Sequence, residues 1–423
     1  MKTIKSLLVK KACLLQPGNR FHLKRKDIFI VNGRIEKIGD RLQERATHTI
    51  DEKDIAVSTG FTELFSDFCE PGSEHKETLE SGSRAALYGG YTDVCLLPDV
   101  YPLTQGKAQI EFIRSRSKVV NLHPLGLISK QKNGTDLAEM YDMQSAGAPA
   151  FTEGREGLQS GGLLLKALQY VKAFGGCIIQ VAEDQSIAGR GLMHEGIVST
   201  RLGVQGKPDI AEAVMIQRDL QLLEYTGSKI HFTGVSTRKG IELIREAKRK
   251  KLQVSCSVTP HHLLYTDESL LNYDSVYKVH PPLRKEEDRK ALLKAVADGT
   301  IDAIATHHMP QDWDAKQVEF EYAQNGMIGL QTTLPLLLSC APEIPTERWI
   351  DMISEAPKRI LGLPLATLEE GYQAGLTVFS TSRRWILNEQ SNQSRSSNSP
   401  VWNKELHGQV LAVANKNQIV CHE

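Results

Sequence analysis

Lys229-Ile230-His231-Phe232-Thr233, the run Lys239–Lys250 and then Gln253-Val254-Ser255-Cys256 form the stretch whose reading decides the fold. Each short apolar burst reads as a buried strand, and the longer run between them reads as a helix. The same alternation extends in both directions. Further bursts are Thr92-Asp93-Val94-Cys95-Leu96-Leu97, Val119-Val120-Asn121-Leu122, Cys177-Ile178-Ile179-Gln180-Val181 and Ala303-Ile304-Ala305-Thr306. Helical stretches lie among them at Gly162–Phe174, Ala211–Thr226 and Glu286–Asp298. Strand–helix alternation over about 280 residues predicts a parallel sheet in an α/β fold, and at this length a (β/α)8 barrel of the TIM type over residues 58–365.

The two ends read differently. Residues 1–57 hold short strands, among them Asp27-Ile28-Phe29-Ile30-Val31, an Asn32-Gly33 hairpin turn and Arg34-Ile35-Glu36-Lys37-Ile38. Strand character returns in residues 366–423, at Leu376-Thr377-Val378-Phe379, Arg384-Trp385-Ile386-Leu387, Gly408–Ala412 and Gln418–Cys421. The two ends are expected to join in one small β-sandwich flanking the barrel. The Ser/Asn/Gln/Arg-rich segment 388–399 between those strands is expected to be a mobile loop.

Composition narrows the function classes. The chain has 423 residues with 51 Lys+Arg against 51 Asp+Glu, so no net positive field draws nucleic acid or an acidic membrane. Its seven cysteines are scattered without a CxxC pair, which argues against a disulfide framework or zinc ribbon and for a reducing compartment. No apolar stretch is long enough to span a membrane or form a signal segment, so a cytoplasmic protein is expected. Thirteen histidines leave a metal-dependent enzyme open.

Motifs throughout the chain carry a resemblance. They include Gly60-Phe61-Thr62-Glu63-Leu64, Glu70-Pro71-Gly72-Ser73-Glu74-His75-Lys76-Glu77, Val258-Thr259-Pro260-His261-His262-Leu263-Leu264 and Pro281-Pro282-Leu283-Arg284. Asp298-Gly299-Thr300-Ile301-Asp302-Ala303-Ile304-Ala305-Thr306, Gly326-Met327-Ile328-Gly329-Leu330-Gln331-Thr332 and Leu368-Glu369-Glu370-Gly371 continue the series. In these motifs the chain resembles the amidohydrolase superfamily, and within it the long (type I) bacterial dihydroorotases. Hydantoinases and allantoinases share parts of the pattern. The resemblance implies a barrel whose mouth holds metal-activated water for opening or closing a cyclic amide, with a nearby Asp moving the proton.

Position by position, the ligands that the resemblance implies are replaced. The His-x-His at the end of the first barrel strand falls on Phe65 and Asp67. The bridging carboxylate falls on Glu153, with Arg155 two residues on as a possible ion-pair partner. Two later single histidines fall on Val181 and Gly234, and the catalytic Asp on His307, next to a retained His308. His307 could act as a base, since a neutral imidazole titrates in the right range. The substrate-clamping Arg falls on Cys69, and two substrate-pocket Asn positions fall on Asp99 and His280. Losing the guanidinium removes the main charge-assisted contact to a substrate carboxylate, and a carboxylate at position 99 would repel that anion.

Other histidines have structural explanations. His231 would lie on the strand face opposite Gly234, and adjacent His261 and His262 would point to opposite sides of a strand, bonded structurally. A buried, inert thiol is expected of Cys69. The resemblance therefore implies a homologue that has lost this chemistry, with no cofactor, acting as a structural partner of aspartate carbamoyltransferase in pyrimidine synthesis and forming a homodimer. The alternative is an active dihydroorotase or other cyclic amidohydrolase with a site rebuilt from Asp67, Glu153, His280, His307 and His308, which would require zinc.

Overall fold

Strands at the centre of the chain are buried on both faces, which is why they read as continuous apolar runs rather than alternating ones. Phe61–Ser66 and Tyr91–Leu96 are buried at every position. In the computed structural model, which describes residues 2–422, these two strands and Asn121–Pro124 form one parallel ladder. A second ladder runs Gly126–Leu127, Phe151–Thr152, Ile178–Val181, Ile230–Thr233, Val254–Val258, Ala303–Ile304, again parallel. Asn121–Pro124 and Gly126–Leu127 are two halves of one strand interrupted at Leu125, so the three and six segments of the ladders make eight barrel strands. The expected barrel is the observed one.

Helices cover the barrel where the sequence places them, at Gly161–Lys172, Ile210–Thr226, Arg238–Arg249 and Glu286–Ala297. Ser160 and Thr237 cap two of them by accepting from Leu163 N and Gly240 N, satisfying orphan first-turn donors. The interior is packed with apolar side chains, among them Leu64, Phe65, Cys95, Ile179, Val181 and Ala305. No described helix is long and apolar enough to cross a membrane.

The seam between the last and first strands is closed by a side chain. Buried Glu63 accepts from Phe65 N at 2.8 Å and from Thr306 N at 3.0 and 2.9 Å, and Asp67 N donates to His308 O at 2.9 Å. Glu63→Ala leaves two buried N–H groups without an acceptor, at about 1–3 kcal/mol each. The expected loss is about 2–6 kcal/mol of unfolding free energy, read by urea denaturation.

Both chain ends join in one curled sheet of nine strands, in the order Lys2–Ile4, Gln418–Cys421, Glu405–Asn415, Leu376–Ile386, Ile55–Thr59, Ser6–Leu15, Arg25–Val31, Arg34–Gly39, with His48–Ile50 also on Ser6–Leu15. The Asn32-Gly33 turn has φ of 48° and 72°, the left-handed pair that a tight hairpin requires. A Cβ on Gly33 would also meet Asn417 Cα at 2.5 Å.

Segment 388–399 is not the free loop its composition suggested. It is tied across the barrel mouth. Arg395 N donates to Glu77 Oε1 at 3.2 Å, Ser396 Oγ to Lys76 O at 2.8 Å, and Asn398 Nδ2 to Met309 O and Gly326 O at 3.1 Å each. Ser394 Oγ also donates to Glu77. Polar composition here serves long-range hydrogen bonding, which local pattern cannot reveal.

Candidate active site

Parallel strands deliver their C-terminal ends to one face of the barrel, and the replaced positions gather there. Phe65 is buried, and its ring lies 4.7 Å from that of His307 at 37°. Val181 ends its strand within the apolar interior cluster that also holds Phe65. Gly234 follows Ile230–Thr233 with φ of 67°, and a Cβ there would lie 2.6 Å from His307 Cε1. The imidazole at 307 thus occupies space that a side chain at 234 would claim.

The remaining polar groups are committed to other partners. Asp67 pairs with Arg155 and accepts from Cys69 N at 2.8 Å. Arg155 therefore does not partner Glu153, as its spacing suggested. Glu153 instead takes Ser129, whose N donates at 3.1 Å and whose hydroxyl also donates. Burial pushes the Glu153 carboxyl above its ordinary range. Asp99 accepts from Lys132 Nζ at 2.6 Å and from Arg155 N at 2.8 Å, so its carboxylate is ion-paired. Cys69 is buried, and desolvation followed by the Asp67 charge raises its thiol far above normal, as an inert cysteine requires.

The histidines divide by environment. His231 lies between Ser255 Oγ at 2.8 Å and Ser257 Oγ at 3.0 Å, and is no ligand. His261 and His262 belong to a helix, Pro260–Leu264, capped by Thr259, rather than to a strand. The Thr-Pro pair was the missed signal, since a capping residue followed by Pro at the first helical position marks a helix start. His262 is held by Thr259 Oγ1 at 2.7 Å and Pro281 O at 3.1 Å. His308 Nδ1 accepts from Gly329 N at 3.1 Å, with Nε2 at 3.5 Å from Glu77. His280 Nδ1 stands 3.4 Å from Lys207 Nζ and 3.8 Å from Glu183. His307 Nε2 meets Thr233 Oγ1 at 2.9 Å, and burial pushes its pKa down to about 3, so the ring is neutral.

Phe65, Arg155, Val181, His261, His280 and His307 line a cavity of about 40 Å³ at this mouth. Substrate pockets typically measure roughly 300–1,000 Å³. At about 10–15 Å³ per water, this cavity has room for about three small atoms.

The donor set does not fit the metal that the family resemblance implies. Zinc takes three or four N, O or S ligands at about 2.0–2.3 Å. Phe65, Val181 and Gly234 carry no donor atom, and Asp67, Glu153 and the Nε2 of His307 are bonded elsewhere. Among the described residues, no three His, Cys, Asp or Glu side chains converge as a metal-holding group.

Comparison with known proteins places this architecture. The family pattern described as Dihydro-orotase-like matches residues 56–240, and that described as Amidohydrolase family matches residues 182–409. A dihydroorotase of Pelotomaculum thermopropionicum is 37% identical over 99% of both chains. One from Aquifex aeolicus is 36% identical over 98% of this chain and 99% of its own. Among solved structures, the L-hydantoinase (dihydropyrimidinase) of Arthrobacter aurescens superposes with a TM-score of 0.85 at 22% identity, over 99% of this chain and 96% of that one. The dihydropyrimidinase of Brevibacillus agri gives 0.83 at 17% identity, over 99% and 95%. These structures share the fold, and the full-length sequence likeness carries the closer kinship. With the barrel, its mouth and the long shared sequence together, the chain belongs to the dihydroorotase family of amidohydrolases.

Proposed function

We propose that this chain is a non-catalytic dihydroorotase homologue, a structural partner of aspartate carbamoyltransferase in pyrimidine synthesis. One observation carries the reading. Of the six positions matching the family's ligands and catalytic Asp, Phe65, Val181 and Gly234 offer no donor, and Asp67, Glu153 and His307 are bonded internally around a cavity of about 40 Å³. A scaffold retained around such a mouth points to a role for its surface. The experiment is co-purification of the two proteins, then removal of this chain. The expected result is a transferase that loses assembly or activity. A transferase indifferent to the removal would end the assembly role.

The comparisons favour a second reading. Relatives named dihydroorotase match over the full length, and on similarity alone an active enzyme that closes N-carbamoyl-L-aspartate to dihydroorotate is the better-supported choice. It would use a rebuilt centre drawn from Asp67, Glu153, His280, His307 and His308. Zinc analysis and the cyclisation assay separate the readings. Stoichiometric metal, with turnover abolished in His307→Ala, selects the second.

A further inference from the structure

A larger hollow lies beside the start of a barrel strand, at the end of the barrel away from the mouth. Asn121 opens the strand Asn121–Pro124, and with His123, Arg114 and Lys416 it lines a cavity of about 530 Å³. That volume falls in the range of roughly 300–1,000 Å³ typical of small-molecule sites, which the mouth does not reach. Two cations are held at its wall. Arg114 lies in the last turn of the helix Lys107–Ser115, and its Nη1 donates to Ala146 O at 2.5 Å. A Cβ on Gly147 would fall 2.0 Å from that nitrogen, so the guanidinium rests on bare backbone. Lys416 belongs to the Lys416-Asn417 turn between Glu405–Asn415 and Gln418–Cys421, with φ of 48° and 61°. Asn415 anchors this turn to the barrel, its Nδ2 donating to Val119 O at 2.7 Å and Thr92 O at 3.3 Å.

Neither cation has a counter-charge. Lys416 is half-buried, and its ammonium makes no hydrogen bond or ion pair among the described residues. Burial lowers its pKa below the ordinary range, with Asp93 opposing the shift and Arg114 adding to it. Asp93 is already saturated. It accepts from His123 Nε2, Lys358 Nζ and Thr92 Oγ1 at 2.8 Å each, and from Asn121 Nδ2 at 2.9 Å. Glu111, which also lines the cavity, has Lys107 at 3.6 Å. A half-buried ammonium beside a guanidinium gives up hydration without gaining a partner. A phosphate group carries nearly two negative charges at neutral pH, and its oxygens accept from both kinds of cation. We infer that this hollow binds a phosphate group, free or as a monoester of a small molecule, bridged between the ammonium of Lys416 and the guanidinium of Arg114. The site goes beyond the reading of the mouth, since it needs neither a working mouth nor a second protein.

The test is isothermal titration calorimetry of the full chain at constant ionic strength, with sodium phosphate in one series and glycerol 3-phosphate in the other. Saturable, stoichiometric binding is expected, and the probe that binds more tightly shows whether the occupant is free phosphate or a monoester. Lys416→Asn removes the ammonium but suits a left-handed turn position, so the fold is kept. It is expected to weaken binding by about tenfold or more, the share of one charge-assisted hydrogen bond. Arg114→Met weakens it by a similar factor. Urea midpoints of both variants separate lost binding from lost fold. No saturable response to either probe, or a folded Lys416→Asn protein that binds with unchanged affinity, would overturn the inference.

Discussion

Acidification from about pH 6.5 to about pH 4 is expected to unfold the protein in one cooperative step. Burial keeps a set of imidazoles neutral. The pKa of His194, His262 and His422 is pushed down to about 4, and that of His231 and His307 to about 3. His261 is lowered as well. An unfolded histidine titrates near about 6.5. The sign follows directly. Below about pH 6.5 the unfolded chain takes up protons that the native rings refuse, so stability is lost as pH falls. Each ring accounts for about 3 kcal/mol by about pH 4.

Buried carboxyls oppose the trend. Burial raises Glu63 to about 7 and Asp219 to about 6, and lifts Glu153, Glu212, Asp267 and Asp288 as well, so the native state takes up their protons first. The imidazoles still leave a net loss of several kcal/mol, a large part of the whole stability of a folded protein. Urea unfolding at stepped pH measures it, with an expected net uptake of several protons on unfolding between about pH 6 and about pH 4.5. A native fold persisting at about pH 3.5 would contradict the burial of these rings.

Gly234→Ala is expected to destabilise the fold by about 2–5 kcal/mol. Two effects add. The residue has φ of 67°, and the left-handed region costs a non-glycine residue about 1–2 kcal/mol. The new Cβ falls 2.6 Å from His307 Cε1 and 3.2 Å from Pro281 Cδ, and overpacking of this kind costs about 1–3 kcal/mol. The second effect can be isolated. In a His307→Ala background the clash is relieved, so the same substitution should be milder by about 1–2 kcal/mol. Urea denaturation of the four proteins in the cycle gives the coupling. A coupling near zero would mean that His307 does not occupy the space beside Gly234. The same geometry makes Gly234→His worse than Gly234→Ala, so restoring a single family ligand does not rebuild a metal centre.

Much of the fold was legible because barrel strands and helices obey local rules. The burst Lys229–Thr233 and the run Lys239–Lys250 appear as Ile230–Thr233 and Arg238–Arg249, since apolar period and capping are properties of neighbouring residues. The absent donors at Phe65, Val181 and Gly234 were legible for the same reason, as residue identity suffices. Partnerships were not. Arg155 pairs with Asp67, 88 positions away, rather than with Glu153 beside it. Lys132 neutralises Asp99 across 33 positions, and segment 388–399 reaches back to Glu77. Such pairs are set by where the barrel brings strand ends together, and no local pattern encodes that.

The central claim is that this mouth no longer supports the family's chemistry. It is tested most directly by assaying dihydroorotase activity in both directions, with the purified chain pre-equilibrated with zinc and its bound metal measured in the same sample. The expected result is no turnover above the protein-free control and no stoichiometric metal at the mouth. Turnover accompanied by about one equivalent of bound zinc or more, with both lost in His307→Ala, would contradict it.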